Sequence, residues 1–304
     1  MNKIICIIKE LIAFLIILSG IPFIIRNFIA KNKATILLYH NPEKKLFAKH
    51  LIYLKKKYNV IELRKLIKAI KNKNWNQIPE YPLILTFDDG HKGNFHLFNI
   101  CKKYKVNPTI YVCTKIVNSS KGFWFNFVND KEKDYLKKLT QSKRLEILKN
   151  KYHFFQKKEF FLNKGQALNK AEIIKMKDVF DFQSHSQYHA ILTTCKNKEC
   201  FEDIKNSKKD LKKIFKSSFK HFSYPNGDYS LREVSFLKKA KYFSGRTCDI
   251  GWNNCFTNPF KLKICLISDN ASLLMLRAQL SGVTGYLRYL TKGSFNGEKK
   301  INKL

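Results

Sequence analysis

Arginine and acidic residues are scarce in this 304-residue chain: seven arginines stand beside 51 lysines, and 23 carboxylates oppose 58 basic side chains, for a formal net charge of +35. The shortage of arginine argues against a nucleic-acid reader, because the guanidinium fork is the group that pairs bidentately with phosphate and guanine. A disordered polycation is excluded too, since 44% hydrophobic and 14% aromatic residues are ample material for a core. Two readings of the lysine excess stay open. One is the Lys-, Asn- and Ile-rich composition that an AT-rich genome imposes. The other is attraction to a polyanion, first among them an anionic membrane surface, at about 1 kcal/mol per basic residue close to it.

Paired cysteine motifs are also missing. None of Cys6, Cys101, Cys113, Cys195, Cys200, Cys248, Cys255 and Cys265 forms a Cys-x-x-Cys or a Cys/His pair at zinc-finger spacing, and in so long a chain they are no disulfide framework. Reduced, mostly buried thiols are expected, with the folded domain facing a reducing compartment.

Residues 4–29 are far more apolar than anything after them. Neither Phe28 with Ala30 nor Leu18 with Gly20 supplies the small pair that a signal-peptide cleavage site needs, so the segment is expected to stay attached. As a helix, Ile4 to Ile25 would be roughly 33 Å long, enough for a ~30 Å hydrocarbon core. Lys9 and Glu10 interrupt the run, however, and Gly20-Ile21-Pro22 breaks a helix. A kinked helix that enters and leaves by one face, or lies in the interface, therefore stands beside a single crossing. A buried core helix would have a polar face, and this segment has none. Residues 1–33 are thus expected to be a membrane-anchoring helix. Basic residues flank both of its ends, and the basic body that follows favours a cytoplasmic domain.

No linker follows, so the next domain is expected to sit on the bilayer, with membrane lipids as partners. Ala34–His40 has strand length. A helix with Phe47, Leu51, Leu54 and Tyr58 on one face follows, then a strand-like Val60-Ile61 and an amphipathic helix over 62–72. Strands are expected at Pro82–Phe87, Thr109–Cys113, 180–184, 220–224, 243–247 and 262–267. Helices are expected near 95–105, 140–155, 170–177, 201–215 and 231–240. This alternation predicts parallel βα units, in a barrel or an open sheet, over 34–290. Residues 121–170 read as an insertion with Trp124 at its head, and 291–304 as a basic tail.

Three motifs lie at strand ends. In Thr86-Phe87-Asp88-Asp89-Gly90 two adjacent carboxylates can share a site only if the backbone turns at once, which Gly90 permits. Like charges so close resist joint ionisation unless a cation sits beside them; a plain polar turn is the other reading. His185-Ser186-Gln187-Tyr188-His189 places two imidazoles at i and i+4, on one side of a helical turn, as metal ligands or as surface histidines of a capped loop. The zinc-protease pattern has Glu where Ser186 stands, so any base comes from elsewhere. In Phe222-Ser223-Tyr224-Pro225-Asn226-Gly227-Asp228, Pro225 fixes one backbone angle and Gly227 frees another. That could aim the Asn226 N–H inward as an oxyanion donor, or make only a turn.

Taken in order, these motifs resemble the polysaccharide deacetylases of carbohydrate esterase family four, the NodB-homology domain, in its Tyr-Pro-x-Gly branch. The resemblance runs over about 34–270, from Leu37-Leu38-Tyr39-His40 through Val106–Val112 to Tyr224–Gly227. It implies a distorted (β/α) barrel of seven strands. It also implies a divalent metal, usually zinc, held by Asp89, His185 and His189, with Asp88 as base and an N-acetylated glycan or glycolipid as substrate. Tyr224, Pro225, Trp124 and His40 are expected to line the substrate site, Trp124 either stacking on a sugar or sitting in the core. The branch often has arginine where Lys263 stands, so the orientation of Asp88 is expected to be weakened. Its late Leu-x-x-His is missing, which leaves the general acid unassigned, His40 and His91 being candidates. A catalytically impaired glycan-binding protein on the same scaffold is the alternative, and the intact Asp88, Asp89, His185 and His189 speak against it.

Overall fold

The computed structural model describes residues 3–159, 165–215 and 219–283. Its strands are β1 (Thr35–Tyr39), β2 (Asn59–Val60), β3 (Pro82–Phe87), β4 (Thr109–Val112), β5 (Asp181–Ser184), β6 (His221–Ser223), β7 (Ser244–Ile250) and β8 (Leu262–Leu266). Its α-helices are α1 (Lys3–Leu18), α2 (Ile21–Ile24), α3 (Lys44–Lys57), α4 (Leu63–Lys71), α5 (Phe98–Lys103), α6 (Asp130–Lys137), α7 (Gln141–Tyr152), α8 (Lys170–Met176), α9 (Asn197–Phe215), α10 (Leu231–Lys239) and α11 (Leu273–Leu280). Every element expected from the periodicity is present; α6 and α11 are additional.

The strands are hydrogen-bonded in the order β1-β8-β7-β6-β5-β4-β3-β2, and a further parallel pairing of β1 with β3 closes seven of them into a barrel, with the two-residue β2 attached to β3. Closure rules out the open sheet. The chain divides into two compact units whose described parts are 3–87, 96–109 and 248–283, and 88–95, 110–159, 165–215 and 219–247. The boundary runs through β4 and β7, so neither unit is one continuous stretch.

In the first unit, β1 and β3 are buried along their whole length and pair Leu37 with Leu85, the continuous apolar reading expected of strands covered on both faces. Thr86, the polar exception, donates its hydroxyl to the Leu37 carbonyl at 2.7 Å. On α4, Leu63, Leu66, Ile67 and Ile70 form the buried face at helical spacing.

The expected membrane-anchoring helix over residues 1–33 is not a single helix. After α1 the chain turns at Gly20 (φ 71°), resumes through Pro22 in α2, and continues as a π-helical turn over Ile25–Ile29. Proline cannot extend the hydrogen-bond ladder, and the two arms are bent by 60°. No single helix among the described residues is long and apolar enough to cross a membrane. One face of α1 lies on α11, where Ala13 and Ile16 are buried against Ala278.

In the second unit, the described part of the 121–170 insertion builds a core of its own. Trp124, Leu136, Leu148 and Phe154 pack together with Ile191. Asn129 closes a capping box with Glu132 at the start of α6. Neither unit contains a disulfide among the described residues; all eight cysteines are free, five of them buried. The 291–304 tail lies outside the described residues.

Candidate functional site

The first motif turns as soon as it leaves β3. Asp89 (φ 70°) and Gly90 (φ 76°) both adopt the left-handed region, and a Cβ on Gly90 would stand 2.8 Å from Val112 Cγ1, so only glycine fits there. The turn brings two carboxylates that a strand would separate to one place. His185 Nε2 lies 3.7 Å from Asp88 Oδ2 and 3.5 Å from Asp89 Oδ1, and His189 Nε2 lies 3.4 Å from the same Asp89 oxygen.

The second motif is not a helical turn. Ser186 (φ 67°) and His189 (φ 58°) are left-handed, and the loop between them is fixed from several sides. The Thr114 and Lys115 amides donate to the Ser186 and Gln187 carbonyls at 3.1 and 2.9 Å. Helix α9 turns a polar face inward to the same loop: the Gln187 N–H donates to Asp203 Oδ1 at 3.0 Å, and its side-chain amide to Asp210 Oδ2 at 2.7 Å. The two imidazoles still meet, their centroids 4.9 Å apart.

The histidine protonation follows from the neighbours. His185 Nδ1 is 2.8 Å from the Ser223 carbonyl, which can only accept, so Nδ1 carries a proton and Nε2 is the ring nitrogen turned toward Asp89. Burial pushes the His189 imidazole down to about 4, against the pull of Asp89, so it is neutral near pH 7. For Asp89, burial alone would raise the carboxyl; His189, His91 and His185 outweigh it and hold the group well below the usual carboxylate range.

Ligand atoms of Asp89, His185 and His189 lie within 4.8 Å of one another, and Asp89 Oδ1 is buried with no hydrogen-bond partner. An orphaned anionic oxygen facing two imidazole nitrogens is what a divalent cation would satisfy, so the residues fit such an ion. The other Asp89 oxygen is held by His91 Nε2 at 3.1 Å.

Asp88 is held by a residue the sequence reading missed. Arg246, on β7 and fully buried, contacts both Asp88 Oδ2 and the Ser223 hydroxyl through Nη2, and Ser223 Oγ itself donates to Asp88 Oδ2 at 3.3 Å. The expectation that Lys263 leaves Asp88 weakly oriented is therefore corrected: Lys263 is exposed, and the arginine comes from a different strand. The signal available was an arginine inside Phe243–Thr247, a strand-like run, since a buried guanidinium needs a buried anion.

Other expected residues take varied places. Trp124 is 4% exposed and donates its indole N–H to the His189 carbonyl at 3.2 Å, so of its two readings the core one describes its position. The Tyr224 ring is fully buried and fills the space above Gly245, where a Cβ would stand 2.6 Å from its hydroxyl. Pro225 is buried, and Asn226 follows in a left-handed conformation (φ 60°), its side chain donating to Asp228 at 3.0 Å. Asn226 and Asp228 line a cavity of about 560 Å³ together with Thr193, Thr194 and the insertion residues Asp134, Lys137 and Lys138. The His91 ring lies tilted against Phe123, and Phe125 meets His189 edge to face, with centroids 4.9 and 5.0 Å apart. His40 is exposed in the first unit, its backbone N–H donating to Asp269 Oδ1 at 3.0 Å.

A family model described as polysaccharide deacetylase matches residues 76–243, more than half of the chain. Among solved structures, the deacetylase PplD of Streptococcus pyogenes, in complex with acetate, is similar with a TM-score of 0.61 and 19% identity over 82% of this chain and 98% of that one. IcaB from Ammonifex degensii is similar with a TM-score of 0.60 and 15% identity over 82% and 97%. BC0361, a polysaccharide deacetylase from Bacillus cereus, is similar with a TM-score of 0.58 and 21% identity over 82% and 69%. No curated protein matches by sequence.

Proposed function

Since the chain belongs to the polysaccharide deacetylase family, we propose that it is a metal-dependent hydrolase that removes the acetyl group from an N-acetylated sugar of a surface polysaccharide or a lipid-linked glycan. The observation that carries this reading is the pairing of two carboxylates with different partners: Asp89 faces His185 and His189, and Asp88 faces Arg246 and Ser223. One set holds a cation and the other holds a base.

A divalent ion, zinc being the first choice for an Asp-His-His donor set, supplies Lewis acidity toward the acetyl carbonyl and acidifies water when it is bound. Asp89, His185 and His189 are the residues that would hold it. Asp88 takes the proton of the attacking water, and its contact with Arg246 keeps the carboxylate aimed. The Asn226 N–H is the candidate donor to the oxyanion that forms at the acetyl carbon. The proton gained by Asp88 is available to the departing nitrogen, so that acetate and a free amino sugar leave. The polar cavity beside Asn226, edged by Lys137, Lys138 and Asp134, supports a sugar as the ligand.

The test is acetate release from an N-acetylhexosamine glycan or its lipid-linked precursor. Wild type binds about one divalent ion, which Asp89→Ala and His185→Ala lose, whereas Asp88→Asn keeps the ion and loses about a hundredfold or more in turnover. Unchanged acetate release by Asp88→Asn removes it as the base, and full metal content in both ligand variants removes the metal assignment.

A further inference from the structure

The amino-terminal arm has two faces, and among the described residues one of them packs on α11 while the other is largely exposed. On α1, Ala13 and Ile16 seat against α11, while Leu11, Leu15 and Leu18 on the opposite side are 56%, 56% and 65% exposed. The exposure continues past the bend, with Phe23 at 67% and Phe28 at 78%. A continuous aliphatic and aromatic stripe of this kind is rare on a protein surrounded by water alone.

The arm is also strapped down at both ends. Glu10 accepts a hydrogen bond at 2.9 Å from Ser272, which caps α11. Beyond the bend, the Arg26 guanidinium lies 3.7 Å from the Tyr81 ring centroid and donates to the Lys57 carbonyl at 2.7 Å, and the Tyr81 hydroxyl donates to Asn27 at 2.9 Å. A helix crossing a bilayer would have to break these ties or carry Glu10 and Arg26 into hydrocarbon. Where the arm ends, Lys31, Lys33, Asn27 and Asn254 line a cavity of about 470 Å³ together with Phe28 and Phe256, the latter 82% exposed; the Lys31 ammonium also pairs with half-exposed Glu80 at 3.0 Å. Ammonium and amide groups beside exposed aromatic side chains are suited to an anionic headgroup at the depth where its acyl chain begins.

We propose that residues 4–29 lie in the plane of an anionic lipid monolayer, the stripe through Leu11, Leu15 and Leu18 sunk among acyl chains and the Lys31/Lys33 cavity occupied by a lipid headgroup. The protein is then a monotopic membrane-surface protein whose arm spans nothing. This inference holds whichever sugar the catalytic site takes.

Flotation of the full chain with phosphatidylcholine vesicles, with and without phosphatidylglycerol, tests it. Binding is expected with the anionic vesicles. Leu11→Glu/Leu15→Glu weakens it by about tenfold or more, and Lys31→Ala/Lys33→Ala removes most of the preference for the anionic lipid. Metal content and circular dichroism, unchanged in both variants, exclude misfolding as the cause. Depth is read in Phe14→Trp with brominated lipids, as the fluorescence difference from wild type. Strongest quenching by bromines near the headgroups supports the in-plane arm, whereas strongest quenching at the chain ends means a spanning helix and overturns it. Failure to float with any vesicle overturns it as well, as does a lipid-free dimer that Leu11→Glu/Leu15→Glu dissolves and that does not bind vesicles.

Discussion

Asp88 and Asp89 are neighbours in sequence with unlike surroundings, and the difference is made by Arg246. Its guanidinium is buried beside Asp88, so removing it leaves a carboxylate in low dielectric with the Ser223 hydroxyl and, at 3.7 Å, His185 Nε2 as its neighbours. Arg246→Met is expected to lower unfolding free energy by about 3 kcal/mol, measured by urea titration. Arg246→Lys, which keeps the charge but loses the fork, is expected to retain the fold and the bound metal. Its turnover at saturating substrate should fall about tenfold or more. Equal turnover in Arg246→Lys would show that aiming Asp88 does not matter. At this scale the sequence was legible where residues fall in short motifs, as Asp88, Asp89, His185 and His189 do. Arg246 sits 158 positions from Asp88, and no spacing rule connects them.

The elements show why the motif loops could be found but not drawn. The His185–His189 spacing suggests a helical turn, yet Ser186 and His189 adopt positive φ, and the imidazoles meet across a loop instead. Non-glycine residues in that region are uncommon, so the sequence gives no sign of them; surrounding hydrogen bonds hold them there. Helix α9 supplies two of those bonds. Its pattern predicts a helix, but Asp203, Ser207 and Asp210 on its buried face look like solvent-facing residues until their partners are seen. Asp210 serves the Gln187 amide, the Thr114 hydroxyl at 3.3 Å and the Lys115 ammonium at 3.2 Å. Asp210→Ala should therefore loosen the loop and weaken metal binding about tenfold, as loss of an outer hydrogen-bonding partner does elsewhere. Titration with a competing chelator measures it, and wild-type affinity would show that the loop needs no support from α9.

For the molecule as a whole, the alternation of strand and helix was legible because parallel strands covered on both faces read as nearly continuous apolar runs, as β1 and β3 do apart from Thr35 and Thr86. Barrel against open sheet was not, because closure depends on the β1–β3 pairing, which no local pattern encodes. The barrel also buries a histidine whose titration reports on the entire fold. His221 on β6 shares a 2.9 Å hydrogen bond with the Ser244 hydroxyl, and burial, aided by Lys220 and Lys208, pushes its imidazole down to about 4. The unfolded chain binds a proton near pH 6.5 that the folded barrel refuses until about pH 4. The contribution of this site is therefore whole above pH 6.5 and declines as the pH falls toward 4, by about 3 kcal/mol in all. Urea unfolding at pH 4.5 and pH 7 should show a smaller acid-induced loss in His221→Gln than in wild type, and equal losses would place the sensitivity elsewhere.

The seam of the barrel also bears on synthesis. β1 precedes the other described strands in the chain, and it pairs on one side with β3 and on the other with β8, where Leu37 meets Cys265. A ribosome delivers that second partner only after more than two hundred further residues, and no disulfide among the described residues can hold the earlier strands in place meanwhile. Until β8 emerges, β1 presents an open edge of unpaired backbone groups on a largely apolar strand, of the kind that invites pairing with other chains. The nascent protein is thus exposed to self-association from the completion of β1 until β8 emerges, and a product truncated before Leu262 would keep that edge for good.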